Sequence, residues 1–315
     1  MSIELELKFL VAAPDSYQLP ALLTSFGAMT DNGQAALLNA YFDTSDNWFR
    51  RHGMGLRTRQ KKGVFEQTLK LAGQQHGALQ ARPEFNVPAA GIVPELAAFP
   101  DEVWPADTDV ATLQQQLTEI FRTDFIRHSW QLACDGTLLD VVYDSGEVLA
   151  GSKTEIIAEL ELELLSGSVN PLFSVAEQLI STVPLRTGWL SKAARGYLLA
   201  DKQQLNMPVS EPQGLIANLQ ALQSTEALFY RRSTIASEQQ ENLPLLEHAS
   251  HYLLLLSAEL AALQYTEYSQ QAIALARQLQ QGVVVFEHPP YNQLLLALTV
   301  LLLQQSDMES GQGPL

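Results

Sequence analysis

The sequence predicts an α+β protein, in which antiparallel strands close into a barrel with flanking helices and an all-α C-terminal domain follows. Residues 1 to about 165 contain short segments that alternate polar and apolar residues between Gly, Pro, Asn and Asp, a pattern typical of antiparallel strands. After Gly167 the apolar residues recur at helical spacing. Almost every predicted strand has one charged face, which favours a closed sheet with its charges inside and its apolar faces under helices.

The composition indicates a cytoplasmic protein of two domains. A chain of 315 residues that is 46% hydrophobic can bury a substantial core, and its net charge of −16 argues against a nucleic-acid partner. The single cysteine, Cys134, permits no internal disulfide and fits a reducing compartment. The N-terminus lacks a secretory pattern, and the apolar run at 294–303 is too short to cross a bilayer. We therefore expect no membrane partner.

Charged residues alternate with apolar residues along the predicted strands. The opening MSIELELKFL puts Glu4, Glu6 and Lys8 on one face of the first strand. The later strands repeat this pattern with Arg57 and Arg59 in LRTRQ, Lys70 in EQTLK, Arg82 and Glu84 in ARPEF, Arg127, Asp140 and Asp144, and Glu159, Glu161 and Glu163 in AELELEL. Each strand alone is compatible with a surface strand whose charges face water. Opposite charges that alternate from strand to strand favour the barrel instead.

Helices are predicted at several places in and after the strand region. They are expected around 19–26 and 111–120, over NPLFSVAEQLISTV with Pro171 in the first turn, and over SKAARGYLLADKQ with Ser191 as its N-cap. Arg195, one turn after Lys192, is either a substrate-facing residue or a surface charge. The segment LNMPVSEPQG is rich in Pro and Ser, as linkers are. The predicted domains are a barrel over 1–202, a linker over 203–213 and a helical domain over 214–315.

The charges of the barrel point to a metal-bound polyphosphate as ligand. A bore lined by charge is costly unless each charge is paired or liganded. Arg and Lys bind phosphoryl oxygens, whereas carboxylates bind Mg²⁺ or Mn²⁺. Two carboxylates at i and i+2 on a strand lie about 6.6 Å apart, so their side chains can converge on one or two ions. The sequence contains neither GxxxxGK[ST] nor GxGxxG, so side chains are expected to bind the phosphates.

These motifs, in this order, resemble those of the CYTH, or triphosphate tunnel metalloenzyme, family. The ExExK opening resembles the family signature, and LRTRQ, TLK, ARPEF and AELELEL resemble its successive strands over about residues 1–202. SKAARGY, with Lys192, resembles the end of the domain in the bacterial inorganic-triphosphatase branch. The resemblance implies an eight-stranded antiparallel β-barrel that forms an open tunnel. It also implies hydrolysis of inorganic, thiamine or nucleoside triphosphates, or cyclisation of ATP to cyclic AMP.

The resemblance implies roles for individual residues of this chain. The residues expected to bind the triphosphate are Lys8, Arg57, Arg59, Lys70, Arg82, Arg127 and Lys192. The residues expected to hold Mg²⁺ or Mn²⁺ are Glu4, Glu6, Asp144, Glu159, Glu161 and Glu163. Glu4, Glu6 and Lys8 are the predicted catalytic residues. Asp140 competes with Asp144, because both lie on the same face of one strand.

The predicted function is metal-dependent hydrolysis of inorganic triphosphate to diphosphate and phosphate. Two alternatives remain open: a class IV-type adenylate cyclase or nucleoside or thiamine triphosphatase of the same fold, and a non-catalytic polyphosphate-binding module. The bacterial branch often carries a C-terminal helical CHAD domain. Residues 206–315 contain three basic and ten acidic residues, so we expect a degenerate or truncated CHAD-like domain, or an unrelated helical one. A homodimer is possible.

Overall fold

The computed structural model describes residues 2–207, 212–233 and 242–310. Residues 208–211 of the predicted linker, and 234–241 and 311–315 of the predicted helical domain, lie outside the described residues. The chain divides into two compact units. The first comprises Met1–Gln75, Leu79–Leu172 and Leu190–Gln204, and the second comprises His76–Ala78, Phe173–Trp189 and Leu205–Leu315. The domain boundaries given above stay predictions.

Eight strands of the first unit form a closed antiparallel barrel, which confirms the predicted fold class. The strands of this unit are β1 (Ser2–Val11), β2 (Ala28–Asp43), β3 (Gly55–Lys61), β4 (Val64–Lys70), the short β5 (Gln74–His76), β6 (Leu79–Ala89), β7 (Thr118–Cys134), β8 (Thr137–Ala150) and β9 (Lys153–Ser166). The order around the barrel is β1-β9-β8-β7-β2-β3-β4-β6, and β6 pairs with β1 to close it.

Helices flank the barrel strands. They are α1 (Ala13–Ser16), α2 (Leu19–Phe26), α3 (Trp48–Arg51), α4 (Val110–Gln115) and α6 (Lys192–Leu199), with 3₁₀ turns at Leu96–Ala98 and Asp101–Val103. The helix α5 (Asn170–Thr182) belongs largely to the second unit. The predictions of α2 and α5 are confirmed. The prediction of α6 is confirmed except at its end, because the helix stops at Leu199, before the last four residues of the predicted segment. The Oγ of Ser191 accepts a hydrogen bond from the Ala194 amide at 3.1 Å, which is the predicted N-cap of α6.

The helix predicted over 111–120 is wrong in its second half. α4 ends at Gln115, and the chain enters β7 at Thr118. Thr118 and Glu119 pair with Asp43 and Phe42 of β2. Pairing in the barrel therefore overrides the helical spacing of these residues, as tertiary context commonly does.

The strand β2 has no counterpart among the segments predicted from the sequence. Its residues 35–38 are apolar without alternation, and Asn32-Gly33 is a typical turn sequence. In the structure this pair lies in a β-bulge, where the register against β7 shifts between Asp31 and Gly33. Gly33 has a φ of 75°, and its amide donates to Asp31 Oδ1 at 2.7 Å. The turn signal therefore marks a bend within a long strand.

The apolar faces of the barrel strands are buried on its outside. Along β1, Leu7 and Phe9 are fully buried. One cluster packs residues of β2, β3 and β4 against Phe49 of α3 and Leu113 of α4. A second cluster, with Tyr197 of α6, includes Tyr41, which lines the barrel cavity, so this cluster lies on the inward side of the strands. Complete burial of such a side chain contributes about 1.5–3 kcal/mol. The charged faces are thereby directed into the barrel.

The C-terminal region of the second unit is all-helical, as predicted. Its elements after the barrel are α7 (Leu215–Ser233), α8 (Leu243–Ala262), α9 (Thr266–Gln280) and α10 (Pro289–Ser310), and the unit also contains β10 (Leu185–Thr187). A cluster of buried Leu, Ala, Phe and Tyr side chains from the four helices forms its core. Among the described residues, none of the helices combines the length and the apolar character that crossing a bilayer requires. The CHAD-like nature of this region stays a prediction.

Candidate active site

The inward faces of the barrel strands line a cavity with a volume of about 210 Å³. Its charged lining residues are Glu4, Glu6, Lys8, Arg57, Arg59, Lys70, Arg82, Glu84, Arg127, Asp140, Glu161, Glu163 and Lys192. All seven residues predicted to bind triphosphate are in this set. Of the predicted metal ligands, Asp144 and Glu159 do not line the cavity, whereas Asp140 does.

Strand register brings the charges of β1 and its neighbours together. Glu6 pairs with Glu163 and Lys8 pairs with Glu161 across β1 and β9. On its other side, β1 places Glu4 next to Arg82 of β6. Because side chains at i and i+2 share a face of a strand, the ExExK and ELELE segments meet inside the barrel.

Lys192, the first residue of α6, contacts three buried carboxylates. Its Nζ lies 2.7 Å from Asp144 Oδ2, 2.6 Å from Glu159 Oε2 and 2.9 Å from Glu161 Oε1. Burial disfavours the charged amine, but these three carboxylates outweigh it and raise the pKa of Lys192 well above its usual value. The same cation, together with Lys8, outweighs burial at Glu159 and Glu161 and lowers the pKa of both.

Arg127 of β7 extends this cluster. Its Nε and Nη2 atoms donate to the two oxygens of Asp144, both at 2.7 Å, and Nη2 also donates to Glu161 Oε2 at 2.8 Å. Such bidentate, charge-assisted pairs are the strongest hydrogen bonds in proteins. Asp144 is therefore held between Arg127 and Lys192.

Arg195 is neither a lining residue nor a surface charge. It is 8% exposed, and its Nε donates to Glu155 Oε1 at 2.5 Å. Its other nitrogens donate to Glu159 and to the Ile156 carbonyl. Arg195 therefore ties α6 to β9 behind the carboxylate that Lys192 contacts.

Three guanidiniums line the cavity without a carboxylate partner, and we call Arg57, Arg59 and Arg82 the guanidinium wall. Within the described ranges, no carboxylate oxygen lies within 4.0 Å of them. Arg82 donates to the Leu71 and Gly53 carbonyls, both at 3.1 Å.

Arg57 and Arg59 have neutral partners instead. Arg57 lies opposite Tyr41 in the strand register, and its buried Nε has no acceptor among the described residues. Arg59 Nε donates to Asn39 Oδ1 at 2.8 Å. Burial and the neighbouring charges of Arg57 and Arg127 lower the pKa of Arg59 to about 9. This part of the cavity has an excess of positive charge.

Four other lining residues, Glu4, Glu6, Asp140 and Glu163, form what we call the carboxylate wall. Burial and the charges of the other three residues raise the pKa of Glu163 to about 7. Burial is also the main cause that raises the pKa of Glu6. Lys70 Nζ contacts Glu4, and it also lies 2.9 Å from Glu84 Oε2.

The carboxylate wall has oxygen ligands of the kind that bind divalent cations, but these ligands are not arranged as a complete coordination site. In the described part of the chain, no three acidic, His or Cys side chains are arranged to hold a metal ion. The oxygen donors suit Mg²⁺ or Mn²⁺, and burial, followed by the charges of Glu4, Glu6 and Asp140, raises the pKa of Glu163. The residues present therefore fit such an ion.

Two residues of the site were missed by the sequence analysis because β2 was missed. Asn39 and Tyr41 lie on the face of β2 that is directed into the barrel, opposite Arg59 and Arg57 in the register with β3. Their spacing of two in LNAYFD is the signal that could have identified them. Gln80 of β6 also lines the cavity.

Comparisons with known proteins agree with this geometry. The family model described as the CYTH domain matches residues 2–197. An inorganic triphosphatase from Haemophilus influenzae is 34% identical over 207 residues, which are 64% of this chain and 56% of the relative. The chain thus spans little more than half the length of that relative.

Solved structures of low sequence identity are also similar. A proposed adenylyl cyclase from Hippeastrum, described as having a dominant triphosphatase activity, has a TM-score of 0.44 at 16% identity, covering 62% of this chain and 95% of that one. A proposed adenylate cyclase from Bacillus halodurans has a TM-score of 0.42 at 21% identity, covering 61% and 96%. Membership rests on the family model, which matches more than half of the sequence. The chain belongs to the CYTH domain family.

Proposed function

We propose that this protein hydrolyses inorganic triphosphate to diphosphate and phosphate inside the barrel, with the help of Mg²⁺ or Mn²⁺. The observation that carries the proposal is that one cavity is lined both by guanidiniums that have no carboxylate within 4.0 Å and by a group of carboxylates. A triphosphate complexed with a metal ion presents both kinds of surface to its binding site. The named activity of the Haemophilus influenzae relative supports the same substrate.

The guanidinium wall supports binding of the phosphoryl oxygens. Arg57, Arg59 and Arg82 can donate to a triphosphate without giving up an ion pair. Lys8 and Lys70 also line the cavity, but Lys8 Nζ lies 3.2 Å from Glu161 Oε1 and Lys70 contacts Glu4 and Glu84. For these two, binding a phosphoryl oxygen exchanges one anionic partner for another.

The carboxylate wall supports binding of the metal ion. Glu4, Glu6 and Glu163 are the residues we propose to hold it, with Asp140 beside them. When bound, such an ion polarises phosphoryl oxygens and lowers the pKa of a water molecule in its shell. The metal roles predicted for Asp144, Glu159 and Glu161 stay predictions. The contacts of Asp144 and Glu159 favour a role in orienting Lys192 and Arg127.

The chain itself contributes positioning and charge to the reaction. Cations on several strands would hold the triphosphate in one orientation, so that the scissile bond lies in line with an attacking water. The Arg and Lys side chains would stabilise the charge that spreads over the equatorial phosphoryl oxygens. A cavity enclosed by strands keeps bulk water away from these interactions, which strengthens them. No side chain needs to act as a nucleophile.

The proposal is tested by the release of phosphate from inorganic triphosphate. The purified protein is assayed with Mg²⁺, with Mn²⁺ and with excess chelator, and ATP is assayed in parallel for phosphate and for cyclic AMP. We expect rapid metal-dependent release from inorganic triphosphate and much slower turnover of ATP. Cyclic AMP formation would support the cyclase alternative instead, and tight binding without turnover under any metal would support a binding module.

A matched pair of variants connects the activity to the cavity. Arg57→Gln removes a charge of the guanidinium wall, and we expect kcat/KM to fall about 10²-fold. Arg122→Gln is the control, because Arg122 is exposed and pairs with Glu119 at 2.6 Å. Equal activity of the two variants would contradict the proposed site.

A further inference from the structure

Asn39 lies in a row of three residues that crosses three strands of the barrel. The register pairs Asn39 of β2 with Thr123 of β7 on one side and with Arg59 of β3 on the other. Asn39 is 2% exposed and Thr123 is fully buried. The Asn39 amide therefore connects a buried polar residue to a guanidinium that lines the cavity.

The hydrogen bonds fix the orientation of this amide. Its Oδ1 accepts from Arg59 Nε at 2.8 Å, and its Nδ2 donates to Thr123 Oγ1 at 3.0 Å and to the Thr123 carbonyl at 3.2 Å. A guanidinium can only donate and a carbonyl can only accept, so the reversed amide would lose the bond to Arg59 and the bond to the Thr123 carbonyl. The amide oxygen of Asn39, Oδ1, must therefore face Arg59.

We propose that Asn39 is a positioning residue, which holds the Arg59 guanidinium for the triphosphate while leaving its positive charge uncompensated. This inference rests on the proposed function. The inference explains why this residue is a neutral amide. A carboxylate at position 39 could also accept a hydrogen bond from the Arg59 guanidinium, but its negative charge would compete with the triphosphate for Arg59.

Comparison with the other lining cations supports this assignment. Four of the other lining cations have carboxylate partners within the cavity, which balance their charges: Lys8, Lys70, Arg127 and Lys192. Arg59 instead has an amide partner, and burial, followed by the charges of Arg57 and Arg127, lowers its pKa. An incoming anion is therefore favoured at Arg59 more than at a cation that must first release a carboxylate.

The test replaces the amide by its isosteric carboxylate, in Asn39→Asp. The affinity of the protein for inorganic triphosphate is measured by calorimetry in excess chelator, and KM and kcat are measured with Mg²⁺. We expect the affinity to fall about tenfold or more, the size of one charge-assisted hydrogen bond, and KM to rise by a similar factor. We expect kcat to change less than threefold, since the guanidinium remains in place.

Asn292→Asp is the matched control. Asn292 is a fully buried amide in the helical unit, whose Oδ1 accepts from the Thr187 amide at 2.8 Å and whose Nδ2 donates to the Phe286 carbonyl at 2.9 Å. The same substitution there should lower the melting temperature and leave the affinity and KM unchanged. A purely structural role for Asn39 would make the two variants behave alike.

A second variant keeps the inference testable if Asn39→Asp does not fold. Asn39→Ala removes the acceptor without adding a charge, and we expect a loss of affinity for triphosphate smaller than that of Asn39→Asp. Wild-type affinity and KM in either folded Asn39 variant would overturn the inference while leaving the proposed function intact. Failure of the wild-type protein to bind or hydrolyse triphosphate would overturn both, and the wild-type assay distinguishes these cases.

Discussion

Replacement of Lys192 by methionine tests the charge cluster at the start of α6. The substitution keeps a side chain of similar length but removes the ammonium that Asp144, Glu159 and Glu161 share. Lys192 is 7% exposed, and Asp144 and Glu159 have no exposed surface, so water solvates these two carboxylates poorly when the ammonium is removed. The variant would leave three buried carboxylates with fewer cations than they need.

The size of the effect follows from the remaining contacts. Removal of one partner from a buried ion pair costs about 3–5 kcal/mol. Arg127 still contacts Asp144 and Glu161, and Arg195 still contacts Glu159, so we expect the lower end of that range. At neutral pH, Lys192→Met should therefore lower the free energy of unfolding by about 3 kcal/mol, or a factor of about 10² in the unfolding constant.

The loss should also depend on pH. In the wild-type protein the pKa values of Glu159 and Glu161 are lowered, so these residues contribute stability above the pKa of the unfolded state, and that contribution is lost as pH falls through the folded pKa. Without Lys192 their pKa values rise, and protonation then relieves the repulsion among the carboxylates. The difference between variant and wild type should therefore be largest near pH 7.5 and shrink below about pH 5.

Urea unfolding followed by tryptophan fluorescence measures this difference. Three of the four tryptophans, Trp48, Trp104 and Trp130, belong to the barrel unit, so the signal reports mainly on the barrel. Lys153→Met is the control, because Lys153 forms an exposed pair with Asp201, and such pairs contribute about 0–1 kcal/mol. A loss below about 1 kcal/mol in Lys192→Met, or an equal loss at pH 7.5 and pH 4.5, would refute the reasoning.

Three further substitutions have defined outcomes. Glu163→Gln should raise the melting temperature at pH 8.5 in chelator but not at pH 4. Because the pKa of Glu163 is raised to about 7 in the folded protein, ionisation of this carboxyl destabilises the fold as pH rises from the unfolded pKa through 7. Tyr197→Phe removes the hydroxyl that donates to the buried Asp43 Oδ2 at 2.5 Å, so urea unfolding should show a loss of about 1–3 kcal/mol. Gly196→Ala would put a Cβ 2.1 Å from Phe121 Cε2, so thermal unfolding should show a loss of about 1–3 kcal/mol or more from overpacking.

Each of these three predictions has an outcome that contradicts it. An equal melting shift for Glu163→Gln at both pH values would exclude titration of this carboxyl as the cause. Wild-type stability of Tyr197→Phe would mean that water satisfies Asp43. For Gly196→Ala the control is Gly91→Ala, because a Cβ at Gly91 meets no atom within 4 Å; an equal effect of the two would argue against the close packing of α6.

The barrel and most of its lining residues could be predicted because their signal is local. Alternation along a strand decides which side chains share a face, and it is visible in MSIELELKFL and AELELEL without knowledge of any neighbour. Once those faces carry opposite charges on successive strands, a closed bore is the arrangement that balances them. The seven predicted substrate-binding residues all line one cavity for this reason.

The missed strand β2 shows where local signals fail. Its Asn32-Gly33 bulge imitates a turn, and its pairing with β7 and β3 is decided by residues distant in sequence. Asn39 consequently enters the site only through the register. The same non-local pairing ends α4 early, where Thr118 joins β7.

The sequence by itself determined the period of each strand, the signs of the charges on its inner face and the helical character of the C-terminal region. Only the tertiary structure decided which of these charges neutralise one another: Asp144 is buried between Arg127 and Lys192, Asp140 faces the cavity, and Arg59 has an amide as its partner. The reason is physical. Side-chain alternation depends on adjacent residues, whereas the pairing of charges depends on strand register and burial, which exist only after the barrel has closed.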